Sequence, residues 1–144
     1  MNHFDHDRLD VYGVALDFCV LANEVCERLP RGRGYLADQL QRASTSVVLN
    51  LAEGAGEFSP RDKARFYRLS RRSATECAAI LDVCQRVKLV ENELYDKGRG
   101  HLLRVVAMLV RMARAAETTG TGTGTGTGTK SSHWASLDAA EGAH

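Results

Sequence analysis

No run of apolar residues in this chain reaches the roughly eighteen that a bilayer-spanning helix needs, so a membrane-embedded protein is not expected. The first ten residues are polar, carry four charged side chains and lack the apolar stretch of a secretory leader. A soluble, cytoplasmic protein is the expectation. Proline occurs only twice, and each copy marks a helix boundary: Pro30 opens a turn, and Pro60 suits the first position of a helix. Aromatic residues make up 6% of the chain. Only Phe66 and Tyr67 interleave with its main arginine run, which gives bases of a single strand little to stack on.

Motifs that carry chemistry are equally sparse. The four cysteines fall as Cys19 with Cys26 and Cys77 with Cys84. Seven residues along a helix is roughly 10 Å, too far for one ion to be held by both members of a pair. No CxxC or HxxH spacing occurs, so no metal is expected, and the thiols read as small buried hydrophobes. A di-iron carboxylate site needs Glu-x-x-His, yet Glu53 is followed three residues on by Gly56 and Glu76 by Ala79. The Gly54-Ala55-Gly56 segment is too short for a phosphate loop and lacks its lysine. No nucleophile has an evident base, so neither an enzyme nor a cofactor is expected.

What is present is helical periodicity. The length and 44% apolar content suit one domain. Asp10 reads as the N-cap of a first helix running to about Leu29, with Leu9 stapling onto Val14. Its buried stripe is expected to be Tyr12, Ala15, Leu16, Cys19, Ala22, Cys26 and Leu29. The turn at 30–34 sends a second helix, about Tyr35 to Gly54, back antiparallel. Leu36, Leu40, Ala43, Val47 and Gly54 form its core stripe, and Gly54 and Gly56 are expected to end it in left-handed conformations. Ser59-Pro60-Arg61-Asp62 is a strong start for a third helix reaching about Val87, with Phe66, Leu69, Ser73, Cys77, Ile80 and Cys84 inward. A fourth helix is expected over 91–116, weakened by Gly98 and Gly100. Leu102, Val105, Val106, Leu109 and Met112 form its stripe, and Leu103 and Val110 lie off it. That surplus of apolar surface suggests a subunit interface.

Asn50 lies on the stripe of the second helix with Glu53 one turn along. Such a pair serves either as a hydrogen-bonded layer fixing helix register or as a binding or assembly site. A turn centred near Glu57 sets Asn50 and Glu53 level with Arg61 or Arg65, and Arg42 level with Ser73 and Glu76. Two separate polar layers are therefore expected.

Charge is distributed unevenly despite a net of +1. Residues 1–30 hold six acidic and two basic side chains (−4), whereas residues 59–90 hold eight basic and three acidic (+5). Arg61, Arg65, Arg68 and Arg72 follow i, i+4, i+7, i+11 spacing, with Arg71 adjacent, and so line one face of the third helix. Arginine forks suit phosphate, which makes this stripe the candidate nucleic-acid site. The alternative is a solvated face tied by salt bridges.

From 118 the chain turns to a Gly-Thr repeat, expected to be a flexible tether to residue 130 with a span of roughly 20 Å. Residues 131–144 hold the single tryptophan. Trp134 and Leu137, one helical turn apart, could dock a partner, or the segment could be a disordered tail. The expected organisation is an arm at 1–9, a bundle at 10–117, the tether at 118–130 and the tail at 131–144.

Asp38-Gln39-Leu40-Gln41-Arg42-Ala43, Ser46, Asn50-Leu51-Ala52-Glu53-Gly54, Phe66, Ser73, Glu76 and Met108-Leu109 resemble the small bundle proteins encoded by intervening sequences of large-subunit ribosomal RNA genes. The resemblance spans about Leu9 to Ala115. It implies an all-α, up-and-down antiparallel four-helix bundle assembled as a homopentamer. The accessory variability determinants of diversity-generating retroelements are similar in fold. That similarity implies a reverse transcriptase and RNA or DNA as partners met through basic surfaces, although this chain is nearly neutral and acidic in its first helix. The functional expectation is a non-enzymatic scaffold contacting nucleic acid, or a protein bound to it, through the arginine stripe. The rival is a protein-interaction module presenting its tails on tethers, with avidity from multivalency.

Overall fold

A computed structural model of the chain describes residues 2–121, so Trp134, Leu137 and residues 122–144 of the expected tether and tail lie outside the described residues. A short 3-10 helix, Asp5–Arg8, leads into four α-helices: α1 (Asp10–Arg28), α2 (Gly34–Gly56), α3 (Pro60–Arg86) and α4 (Asn92–Thr121). Each helix packs on its sequence neighbours, and α1 closes against α4. This is the up-and-down four-helix bundle.

Local chemistry sets most helix ends. Ser59 caps α3, its Oγ accepting the Asp62 N–H at 3.4 Å, and Pro60 follows at the first helical position. Lys88 takes a left-handed conformation (φ 63°), and the Leu89 N–H reaches back to the Cys84 carbonyl at 2.7 Å. Two expected caps differ. Asp10 is the first residue of α1 and Leu9 occupies the cap position without a side-chain bond. Gly54 and Gly56 are both helical, and among the described glycines only Gly32 has positive φ. The end of α2 is met instead by Lys63, whose Nζ donates to the carbonyls of Gly54 at 2.9 Å and Ala55 at 3.0 Å. A cation at a helix C-terminus also complements its dipole. At the far end α4 continues four residues into the expected tether. Thr118 and Thr119 donate their hydroxyls to the carbonyls of Arg114 and Ala115, both at 2.9 Å, within that last turn.

Core phase differs from expectation in two helices. In α1 the buried residues are Val11, Val14, Ala15, Phe18, Leu21, Ala22 and Val25. The wall is turned by about one residue, leaving Leu16 41% exposed and Tyr12, Cys19, Cys26 and Leu29 only partly buried. The first half of α3 buries Ala64, Tyr67 and Ser70, while Phe66, Leu69 and Ser73 are half-buried. Its second half follows expectation at Cys77, Ile80 and Cys84. In α4, Leu102, Val105 and Leu109 are core, Val106, Met112 and Val110 are half-buried, and Leu103 is 60% exposed.

Two glycines act by close approach rather than by turning the chain. A Cβ on Gly54 would lie 2.7 Å from Tyr67 Cε1 and 3.1 Å from Phe66 Cβ, so this residue brings α2 and α3 together. Gly98 does the same for α4 against Leu21 and Leu81. Ser70 exploits the short α2–α3 distance: fully buried, its Oγ donates to the Val47 carbonyl at 2.6 Å. Such a bond contributes about 1 kcal/mol net and removes the cost of an unpaired hydroxyl.

Candidate nucleic-acid interface

The arginine stripe rests on a firmly anchored part of the bundle. The cap at Ser59, Lys63 on the end of α2 and the Ser70–Val47 bond fix the N-terminal half of α3. Arg61, Arg65 and Arg72 are exposed there, and Arg65 sets its guanidinium 5.8 Å from the Phe66 ring centroid. Arg68 shares the stripe but not its solvent exposure. It pairs with Glu117 of α4, and its side chain is 17% exposed. Arg71 is half-buried. The five expected contact residues therefore divide into three outward arginines and two set closer to the protein.

Sequence reasoning passed over a second group. Arg104, Arg111 and Arg114 of α4 are exposed. Their spacing of seven and three residues places them near one face of that helix, a signal available in the sequence and unused. Since α4 packs on α3, the two arginine sets occupy adjoining helices. Acidic side chains temper the field: Asp62 and Glu76 are exposed on α3, and Glu117 is 41% exposed.

The two expected polar layers are one. Asn50 Nδ2 donates to the carbonyl and the Oγ of Ser46, both at 3.0 Å, and Ser46 Oγ meets Ser73 Oγ at 2.8 Å. Asn50, Ser46 and Ser73 thus make a half-buried chain along the α2–α3 seam. Glu53, Arg42 and Glu76 are exposed and take no part. The cause is register. α2 runs on to Gly56, and the two helices are offset so that Ser46 rather than Arg42 faces Ser73. On the outer side of α2, Gln41, Arg42, Thr45, Ser46, Leu49 and Asn50 line a shallow, open depression of about 550 Å³.

The thiols are held in the protonated form. Burial pushes Cys77 up to about 12 and raises Cys84 as well. Cys19 Sγ donates to the Ser44 carbonyl at 3.3 Å and Cys26 Sγ to that of Ala37 at 3.5 Å. Burial raises both of these thiols too. All four cysteines are free, and among the described residues no cluster of three or more metal-ligating side chains occurs. Nor is any described helix long and apolar enough to cross a membrane.

Four antiparallel helices with exposed arginines on α3 and α4 define an all-α bundle protein. Comparison with protein families gives the class a specific member: the chain belongs to the 23S rRNA-intervening sequence protein family, which matches residues 7–111. It is similar to a protein of unknown function of the S23 ribosomal protein family from Bacteroides thetaiotaomicron, known from a crystal structure. The two are 19% identical with a TM-score of 0.67, over 72% of this chain and 97% of that one, which speaks to fold alone. Comparison with the curated proteins finds no match.

Proposed function

We propose that the bundle is a homo-oligomeric scaffold, a pentamer, that contacts RNA or DNA, or a nucleic-acid-bound protein such as a reverse transcriptase, through its arginine face. The observation that carries this reading is the exposure of Arg61, Arg65 and Arg72 on a single helical face held rigid by the α2–α3 turn. Arg104, Arg111 and Arg114 extend the basic surface onto α4. A rigid helix spares these arginines the backbone part of the ordering cost of meeting phosphates, and repetition around an oligomer multiplies their field. Self-association would cover apolar side chains that the bundle leaves in water, with Val20 of α1 72%, Leu49 of α2 59% and Leu103 of α4 60% exposed.

Fluorescence anisotropy with labelled RNA and DNA across a salt series tests the nucleic-acid reading. Affinity should fall linearly on a log–log plot, and changing Arg61, Arg65 and Arg72 together to glutamine should flatten the slope by about 0.7–0.9 for each phosphate no longer neutralised. Binding without salt dependence, or equal binding by the triple variant, would sink it. Sedimentation analysis tests the assembly, and a monomer at all concentrations would remove the scaffold.

A further inference from the structure

One side chain at the α2–α3 end of the bundle is out of place for a packed domain. Phe58, at the centre of the α2–α3 turn, is 99% exposed. A phenyl ring in full contact with water forgoes the burial that aromatics ordinarily gain. Its immediate neighbours are fixed: Ser59 caps α3, and Glu57 caps α2 with its backbone N–H on the Gly54 carbonyl. Arg61 follows three residues on, and Lys63 bonds the end of α2 two residues beyond that. The antiparallel topology brings a second aromatic to the same end. Phe4, 74% exposed, lies in the segment just before α1 and stacks on His6 at 5.6 Å with the rings 6° apart. The acids at this end are Asp5 and Asp7 beside Phe4, Glu53, Asp62 and Glu57; the Asp7 carboxylate accepts the Phe4 N–H, the Asp62 main chain is engaged by Ser59, and Glu57 is half-buried.

We infer that Phe58 is a stacking platform for an unpaired base, so that the arginine face selects single-stranded over double-stranded nucleic acid. The inference rests on the nucleic-acid reading above and narrows its ligand. A base has a π-face that a phenyl ring can cover, while the phosphates on either side of it need cations within a few ångströms. A fully exposed ring three residues before Arg61 offers both, whereas in a duplex the base faces are already stacked. The ring has no role in the fold, because it lies outside the core.

The test compares a labelled oligoadenylate with a blunt RNA duplex of equal length, using the full chain. The parent should favour the oligoadenylate. Phe58→Ala and Phe58→Leu should each weaken oligoadenylate binding by about tenfold, leave duplex binding unchanged, and keep the far-UV circular dichroism of the parent. Phe58→Trp in a Trp134→Phe background should bind at least as tightly as the parent and have its fluorescence quenched by the oligoadenylate. If Phe58→Leu binds like the parent, or if the duplex loses as much as the single strand, the platform is overturned while the arginine reading stands. If the Phe58 variants lose their self-association, the ring belongs to a subunit contact and the inference fails. Absence of any binding by the parent overturns this inference and the reading beneath it together.

Discussion

Replacing Gly54 by alanine tests whether the α2–α3 seam is set by contact or by helix propensity, because the two push stability in opposite directions. Propensity alone favours alanine inside a helix by about 1 kcal/mol. The new Cβ, however, would sit 2.7 and 2.8 Å from two ring atoms of Tyr67 and 3.1 Å from Phe66 Cβ. Tyr67 is 5% exposed and cannot swing aside. Relief would require α3 to move off α2, lengthening the Lys63 bonds to Gly54 and Ala55 and the buried Ser70–Val47 bond. Overpacking of this kind costs about 1–3 kcal/mol, and the absence of a flexible neighbour places Gly54 at the upper end. A net loss of about 2 kcal/mol is expected. Gly100 supplies the control: it is exposed, has nothing within 4 Å of a would-be Cβ, and should gain about 0.5–1 kcal/mol as alanine. Gly98→Ala should fall between the two, since the atoms it meets are the tips of Leu21 and Leu81. Urea unfolding followed by circular dichroism at one fixed protein concentration ranks the three. If Gly54→Ala proves as stable as Gly100→Ala, the close-approach account of this glycine is wrong.

The other predictions concern an ion pair and the thiols. Arg68 and Glu117 tie the arginine stripe to α4, and a double-mutant cycle with Arg68→Met and Glu117→Gln should give a coupling of about 0.5–1 kcal/mol that shrinks with salt. Coupling that is absent at low salt, or indifferent to salt, would contradict the pairing. Cys77 should resist alkylation in the native state at mildly alkaline pH, because burial holds its thiol near 12. Its folded value lies above the ordinary 9.0, so its contribution to stability is whole below pH 9 and is lost as pH rises toward 12, by about 1.4 kcal/mol per pH unit. A Cys77→Ala variant should lose stability less steeply over that window, and an identical alkaline decline in both proteins would refute the assignment.

The number of helices and the start of most of them were legible in the chain order alone. The start of α3 is written in Ser59, Pro60 and Asp62, because a cap depends on atoms three residues away and on nothing else. The arginine face was legible for the same reason, since 3.6-residue periodicity places Arg61, Arg65 and Arg72 together wherever the helix goes. The rotation of α1 was not legible. Val11, Val14 and Phe18 compete with Tyr12, Leu16 and Cys19 for the core on nearly equal apolar terms, and only packing against α2 and α4 chooses between them. The register of the α2–α3 hairpin was likewise a tertiary decision. Gly54 reads locally as a helix stop, yet the ring of Tyr67 lies against it and α2 winds on to Gly56, and Ser46, one turn beyond Arg42, is the residue that meets Ser73. That shift separated Asn50 from the arginines and joined it to Ser46 and Ser73. Tertiary packing also withdrew Arg68 from the stripe, through Glu117, and left Phe58 alone in solvent at the tip of the turn. Short-range chemistry is carried by the chain order; which of several apolar or charged side chains reaches solvent depends on what the neighbouring helices cover.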